Sequence, residues 1–428
     1  MKRVTLLITI ALMTARAHAQ AEPVNYVSVL TKFKQFYNNN QVDSIFSMFS
    51  PEMKAALPLS NFKPTTEQLK AQYGNLLKTE FIKYGESLAV YKATFKNSIF
   101  LLNVSLNPQN KLTGLLLGPY QESAVAKPAV DPSITESPVL LKTFSGQISG
   151  TLAMPNNTSG KVPVVLIVGD AGPTDRDGNN EKSGLTANIY KLLAEELGKN
   201  GIASLRYDKR NVGQSVSSTK ESQLRIDDYS DDAGSLINML NDDQRFSKII
   251  VFGHGEGALV SMIAIIDRPA KGYIAAESAS EQGDKVLMDQ MKSKPKYQQD
   301  EFKAILDSLK KGKTTDKVDP SLYFIARPAI QNFLMSVCRL VPTRGMKAMK
   351  IPALIIQGTT DLNVAVDNAE KLKKAKSDAQ MLIIKGMNHI LKDAPADEDK
   401  NIDTYTNPDL PLSAGLVPGM VDFINKVK

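Results

Sequence analysis

One cysteine, Cys338, stands in 428 residues, so no internal disulfide can form and the fold must rest on burial alone. Histidine is nearly as scarce, with three in the chain: His18, His254 and His389. His18 falls in a segment read below as a removable leader, so any imidazole chemistry depends on His254 or His389. No group of His, Cys, Asp and Glu has the spacing of a zinc site, and neither a Gly-rich phosphate loop nor a dinucleotide fingerprint occurs. No metal or cofactor is therefore expected. Beyond the N-terminus no apolar run approaches the length that spans a bilayer. Charge of one sign is lacking too. The formal net charge of +7 is what remains of 52 basic and 45 acidic residues mixed along the chain, and without Lys2, Arg3 and Arg16 it is +4. That balance carries no footprint of nucleic acid or of a membrane surface.

What is present begins with an export signal. Lys2 and Arg3 precede a short apolar run, Val4 to Met13, and Ala17-His18-Ala19 places small residues at the two positions that cleavage requires. Residues 1–19 are expected to be removed, and the mature chain to be periplasmic or extracellular. Residues 23–120 read as a small α+β domain. Tyr26, Val29, Phe33 and Phe36 recur at helical spacing, further helices are expected over 42–49 and 67–81, and strands over 88–95, 99–106 and 112–117. A linker over 121–142 follows, with Pro128, Pro132 and Pro138 among small and polar residues.

From Phe144 to Met154 the pattern is a hairpin, and strand then alternates with helix. Strands are expected at Val162–Val168, Ala203–Tyr207, Lys248–Phe252, Gly272–Ala276, Ala353–Ile356 and Met381–Ile384. Such alternation means a mostly parallel, doubly wound sheet with helices on both faces. Between about 278 and 350 the alternation stops and helical stretches take over, the last of them continuous over Tyr323–Leu340. Insertions at such a point usually lie over the carboxyl ends of the strands, so this one is expected to be a cap that sets the ligand.

Gly253-His254-Gly255-Glu256-Gly257 lies between a predicted strand and a predicted helix. A nucleophile elbow has the form Gly-x-Ser-x-Gly because the strained turn tolerates only small residues beside the nucleophile. Gly253 and Gly257 fit, but the nucleophile position is Gly255, which has no hydroxyl. Asp361 and His389 each follow a predicted strand, in the order that the remainder of a Ser-Asp-His triad would take. His254, beside the nucleophile position, is expected to pack or touch a ligand, and Cys338 to be a small buried hydrophobe.

Two further segments carry a family resemblance. Gly172-Pro173-Thr174-Asp175-Arg176-Asp177-Gly178-Asn179 and Tyr207-Asp208-Lys209-Arg210-Asn211-Val212-Gly213-Gln214-Ser215 resemble loops of secreted bacterial α/β-hydrolases of the serine esterase or acyl-peptide hydrolase type. The order of elements ahead of the linker resembles nuclear-transport-factor-like domains and a domain of unknown function that precedes such hydrolases. The resemblance implies an α/β-hydrolase fold with a helical cap and a small acyl or ester ligand. It also implies an oxyanion hole formed by backbone N–H groups near Asp170 or Ala171 and at Glu256. Asp175, Arg176 and Asp177 are expected to form ion pairs with Asp208 and Arg210. Two departures fall on one chemical step: Gly255 replaces the serine, and Asp170-Ala171-Gly172-Pro173 stands where Gly-Ser-Gly-Pro is usual. An inward Asp170 carboxylate would oppose a developing oxyanion, whereas an outward one would be solvated. Three readings follow. One is a hydrolase by descent, inactive or weak in serine chemistry, with its pocket retained. The second is an active hydrolase in which Asp361 and His389 activate water, and the third is a non-catalytic interaction module.

Overall fold

The computed structural model describes residues 22–120 and 131–428, apart from 86, 87, 157, 181, 182 and 293. The export signal over 1–19 lies outside the described residues. The chain forms two compact units that part between residues 127 and 128.

In the first unit, helices α1 (Val24–Asn38), α2 (Val42–Ser47), α3 (Pro51–Ala56) and α4 (Leu59–Tyr73) precede strands β1 (Leu76–Gly85), β2 (Leu88–Phe95), β3 (Ile99–Leu106) and β4 (Leu112–Pro119). The strands form an antiparallel meander in sequence order. Tyr26, Val29, Leu30, Phe33 and Tyr37 line one face of α1 and join Tyr91, Ala93, Leu102 and Val104 of the sheet in one apolar core. The helix expected over 67–81 is displaced. It runs from 59 to 73, and the chain breaks at Gly74, whose φ of +73° suits a residue without a Cβ. Residues 76–81 belong instead to β1, a strand that the helical reading hid.

In the second unit, β5 (Ile134–Thr143) and β6 (Gly146–Pro155) form a hairpin. There follow β7 (Val162–Val168), α5 (Ile189–Lys199), β8 (Ala203–Tyr207), the short β9 (Val216–Ser217), α6 (Ile226–Asp242), β10 (Phe246–His254), α7 (Glu256–Ala264) and β11 (Gly272–Ala276). The linker expected over 121–142 is therefore too long. Residues 121–130 lie outside the described set, and 134–143 are strand. Pro138 is tolerated there because β5 is an edge strand.

Five helices, α8 (Gly283–Gln290), α9 (Lys296–Lys310), α10 (Tyr323–Ala326), α11 (Gln331–Val337) and α12 (Pro342–Ala348), form the insertion. It has its own apolar cluster, which includes Phe302, Leu306, Leu322 and Cys338. The continuous helix expected over 323–340 is split. Arg327, ahead of Pro328, is extended at φ −53° and ψ 149°, as the residue before a proline prefers. The chain closes with β12 (Ala353–Gly358), α13 (Asp367–Ala375), β13 (Gln380–Ile384), α14 (Glu398–Asp403) and α15 (Leu416–Lys426).

The order across the large sheet is β13-β12-β11-β10-β7-β8-β6-β5, with β9 beside β6. β7, β8, β10, β11, β12 and β13 pair in parallel, and β6 runs antiparallel to β5, β8 and β9. Alternation along the strands supplies both cores. Val164, Leu166, Val168, Ile249 and Val251 face the layer containing α6 and α7. Val165, Ile167, Ile250 and Phe252 face the layer containing α5 and α15. Each such side chain, withdrawn from water, contributes roughly 1.5–3 kcal/mol. The sheet is therefore a rigid platform, and the loops at the carboxyl ends of its strands carry the polar groups described next.

Candidate active site

The elbow is built on backbone contact. At β10–α7 Gly255 has φ +53° and ψ −119°, and its N–H donates to Ala276 O at 3.0 Å. A Cβ at Gly257 would overlap the carbonyl oxygens of Val168 and Gly169, and one at Gly253 would overlap α7 at Ala258 and Ser261. The strained turn and its two flanking glycines are thus intact without a nucleophilic side chain.

Asp170 fills the space. It follows β7, and its carboxylate points inward. Oδ1 accepts from the Glu256 N–H at 2.9 Å, and Oδ2 lies 3.0 Å from His389 Nε2. A Cβ at Gly255 would overlap Oδ1 itself. The side chain retains 26% exposure. Of the two orientations open from the sequence, the inward one is found. The three residues expected near the oxyanion hole are brought together, but the Glu256 amide faces the chain's own carboxylate. The Ala171 amide also favours the charged form of that carboxylate.

His389 Nδ1 lies 2.8 Å from Asp361 Oδ2, so the imidazole bridges two carboxylates. Burial alone would push its pKa down, but Asp170 and Asp361 outweigh burial and hold it well above the ordinary value. His389 is therefore an imidazolium donating to both. Burial would raise both acids, and the His389 charge overrides it, lowering Asp170 and bringing Asp361 down to about 2. Asp361 is further held by the N–H groups of Asn363 and Val364, at 2.6 and 3.0 Å.

Behind Asp361 stands Glu277, the residue after β11, fully buried and at φ +49°. It accepts from Gly358 N at 2.8 Å and from the Gln357 side-chain amide, and it hydrogen-bonds Asp361. Burial first, and then Asp361, raises its pKa well above the carboxylate range, so Glu277 is the neutral donor of that pair.

His254 is structural. Its Nε2 lies 2.7 Å from His389 O, an acceptor, so Nε2 carries the proton. Nδ1 therefore accepts from the Tyr190 hydroxyl at 2.9 Å, and that hydroxyl in turn accepts from Asp170 N at 2.8 Å. Burial lowers the His254 pKa to about 4, consistent with a neutral ring. This path ties the Asp170 loop to the His389 loop. Lys209 Nζ, from the loop after β8, also holds the Asp170 loop, donating to the carbonyls of Asp170 and Gly172.

Further along the loop, Arg176 pairs with Asp208 at 2.6 Å as expected, but Asp177 pairs with Arg206, and Asp175 caps the N–H groups of Asp177 and Asn179. Arg210 turns to Asp228 and Asp232 of α6. These contacts brace the loop.

A cavity of about 340 Å³ opens onto Asp170 and His389, with Leu185, Ile189, Ile390 and Tyr405 among its walls. No described residue of 278–350 lines it, whereas the cap was expected to set the ligand. The insertion packs instead through α11 on α6 and through α12 on α7 and α13. Among the described residues no group of three or more His, Cys, Asp or Glu is arranged to hold a metal.

A mostly parallel sheet with an elbow after one central strand, an Asp after a later one and a His after the last is the plan of an α/β-hydrolase, and the larger unit has that fold. Residues 181–393 match the family described as serine aminopeptidase, S33, and residues 31–115 match a protein family of unknown function, DUF3887. Among known proteins the chain is similar to esterase EstD of Thermotoga maritima, at 24% identity over 384 residues, 84% of this chain and 86% of that one. Solved structures similar to it include Est1E from Butyrivibrio proteoclasticus with ferulic acid bound, at TM-score 0.46 and 17% identity over 67% of this chain and all of that one. Another is esterase Pf2001 of Pyrococcus furiosus, at TM-score 0.44 and 16% identity over 69% and 93%. The chain thus has an α/β-hydrolase fold that resembles esterases, after a small α+β domain.

Proposed function

We propose that this chain is an exported esterase-like hydrolase whose site has lost serine acyl transfer and keeps a pocket for a small ligand. The observation that carries the reading is the Asp170 carboxylate, which sits against Glu256 N and His389 Nε2, the two groups that a serine reaction would need for its oxyanion and its proton. The contact of Asp170 with His389 Nε2 also weighs against the reading in which Asp361 and His389 activate water from this arrangement, because that nitrogen is already engaged. The expected leader, residues 1–19, belongs to the same proposal, and intact-mass analysis of the exported chain tests it: a mature start near Gln20 supports export, and retention of Met1 to Ala19 counts against it.

The site is tested with fluorophosphonate-type serine probes on the purified chain. No labelling is expected. Full labelling of the wild type would identify another serine as nucleophile and end this reading. Thermal stabilisation by small acyl compounds that fit the cavity would support a retained pocket, and its absence across a set of such compounds would favour an interaction module.

A further inference from the structure

Among the described residues Asp170 is the one group at the site that combines charge, exposure to the cavity and nucleophilic oxygen. We propose that Asp170 is itself the nucleophile, and that its substrate is a small epoxide opened at a saturated carbon. The inference rests on the loss of serine chemistry argued above.

An acyl substrate does not suit a carboxylate nucleophile. Attack on an alkyl ester would give a mixed anhydride by expelling an alkoxide, a far poorer leaving group than the carboxylate that attacks. Attack on a saturated carbon has no such penalty and yields an ordinary ester. Between saturated electrophiles, the surroundings favour the epoxide. Departure of a halide would leave a separate anion for the wall to hold, which a cation would do best. Among the described residues the cavity wall offers no Lys or Arg, and Lys209 is committed to the carbonyls of Asp170 and Gly172 and faces Glu256. An epoxide leaves no separate anion. Its oxygen needs one proton, and the His389 imidazolium holds one beside Asp170.

The steps balance as follows. Asp170 Oδ2 bonds to an epoxide carbon, the ring C–O bond breaks, and the alkoxide takes the Nε2 proton of His389. Asp170 is now a neutral hydroxyalkyl ester, so the charge that held the proton on His389 is gone. The imidazole, oriented by Asp361, becomes a base. It takes a proton from water as the water oxygen attacks Asp170 Cγ. Negative charge collects on Oδ1, which already faces the Glu256 N–H at 2.9 Å. The Cγ–Oδ2 bond then breaks, the departing diol oxygen takes the proton from His389, and the Asp170 carboxyl returns its own proton to His389. One epoxide and one water become one diol, and the starting ion pair is restored. The substitution at residue 255 and the carboxylate at 170 are then a single change, in which the nucleophile moves from the elbow to the neighbouring loop while His389, Asp361 and the Glu256 amide keep their places.

The test uses the full mature chain with styrene oxide and phenyl glycidyl ether in water enriched in oxygen-18. A single turnover should place the label in the peptide containing Asp170 and leave the diol unlabelled. Acid quenching of the wild type within the first turnover, followed by mass spectrometry, should find the hydroxyalkyl adduct on Asp170. Asp170→Asn should give neither. If the folded wild type forms no diol and takes no label at Asp170, or if label enters the diol directly, the proposal is overturned. Fluorophosphonate labelling, read separately, shows whether the loss of serine chemistry has failed instead.

Discussion

The acid end and the nucleophile end of the candidate site have fared differently. At the acid end, Asp361 and His389 meet at 2.8 Å, Asp361 is fully enclosed, and backbone N–H groups hold its other oxygen. That is the arrangement a hydrolase triad requires. At the nucleophile end the backbone is equally well kept, with the strained turn and the close glycines in place, while Gly255 offers no hydroxyl and the Asp170 carboxylate lies against it. The turn is held by packing of β10 and α7 against β7, which does not depend on a hydroxyl. The hydroxyl depended on a single side chain. A fold constraint and a chemical constraint can therefore separate at one residue, and here a carboxylate from the next loop occupies the space.

The largest effect is expected from reversing that replacement. Gly255→Ser alone should not label with a fluorophosphonate, because its Cβ would overlap Asp170 Oδ1 and the Glu256 amide would remain engaged. Gly255→Ser with Asp170→Gly frees both, and should label and hydrolyse a short activated ester at a rate on the order of 10² above the single variant, the usual worth of one oxyanion donor. A further His389→Ala change should remove the gain. Equal labelling of the single and double variants would show that Asp170 does not block the nucleophile end.

Next in size is the effect on His389 protonation. With its pKa held well above the ordinary value by Asp170 and Asp361, its imidazole should stay protonated throughout the neutral range in nitrogen-15 NMR spectra, which three histidines keep simple to assign. Asp170→Asn should lower that pKa by more than a unit. The sign for stability follows. A raised folded pKa gives stability that is fully present below the unfolded value of about 6.5 and is lost as pH rises through the folded value. Asp170 and Asp361, whose pKa values are lowered, give stability present above about 3.9 and lost as pH falls through their folded values. The wild type should therefore hold its stability across neutral pH, and the alkaline decline should begin earlier in Asp170→Asn. Identical His389 titrations in the two proteins would remove the charge coupling between the two ends.

Much of this was legible in the sequence. Apolar runs ending in Gly placed the parallel strands, and the order Gly255, Asp361, His389 placed the acid end, because each residue follows a strand. The orientation of Asp170 was not legible, since it depends on the gap that Gly255 leaves across the chain. Tyr190 sits within an ordinary amphipathic helix, and nothing in its local pattern marks the bond to His254. Glu277 left one signal, a carboxylate directly after the apolar strand Gly272–Ala276. β1 was hidden because Leu76 to Phe81 continues an apolar spacing compatible with helix, and only Gly74 marks the break. The source of the cavity walls was misjudged because insertion at strand ends does not fix which loops reach the pocket.

A smaller effect measures how firmly the shared backbone is held. Gly257→Ala should destabilise the larger unit by about 1–3 kcal/mol, the usual cost of overpacking, since the new Cβ meets carbonyl oxygens that cannot rotate away. Urea unfolding followed by circular dichroism measures it. A change below about 0.5 kcal/mol, the range of an ordinary surface substitution, would show that the elbow is looser than its contacts imply.

The smallest effect expected is none, at Cys338. This thiol belongs to the one cysteine of the chain, so its silence bears on whether covalent chemistry belongs to the Asp170 end. It is 1% exposed within the apolar cluster of the cap, and burial pushes its pKa up to about 11. A thiol must ionise to attack, so at neutral pH only about one part in 10⁴ is reactive, before burial restricts access. An aromatic disulfide reagent should leave the native chain unmodified over the time in which the urea-unfolded chain reacts completely. Any epoxide adduct should then map to the peptide of Asp170 and remain undiminished in Cys338→Ala, a change whose cost should be confined to roughly 1 kcal/mol of cap stability. Fast modification of the native protein, or loss of the adduct in Cys338→Ala while the fold survives, would move the covalent chemistry from the Asp170 loop to the cap.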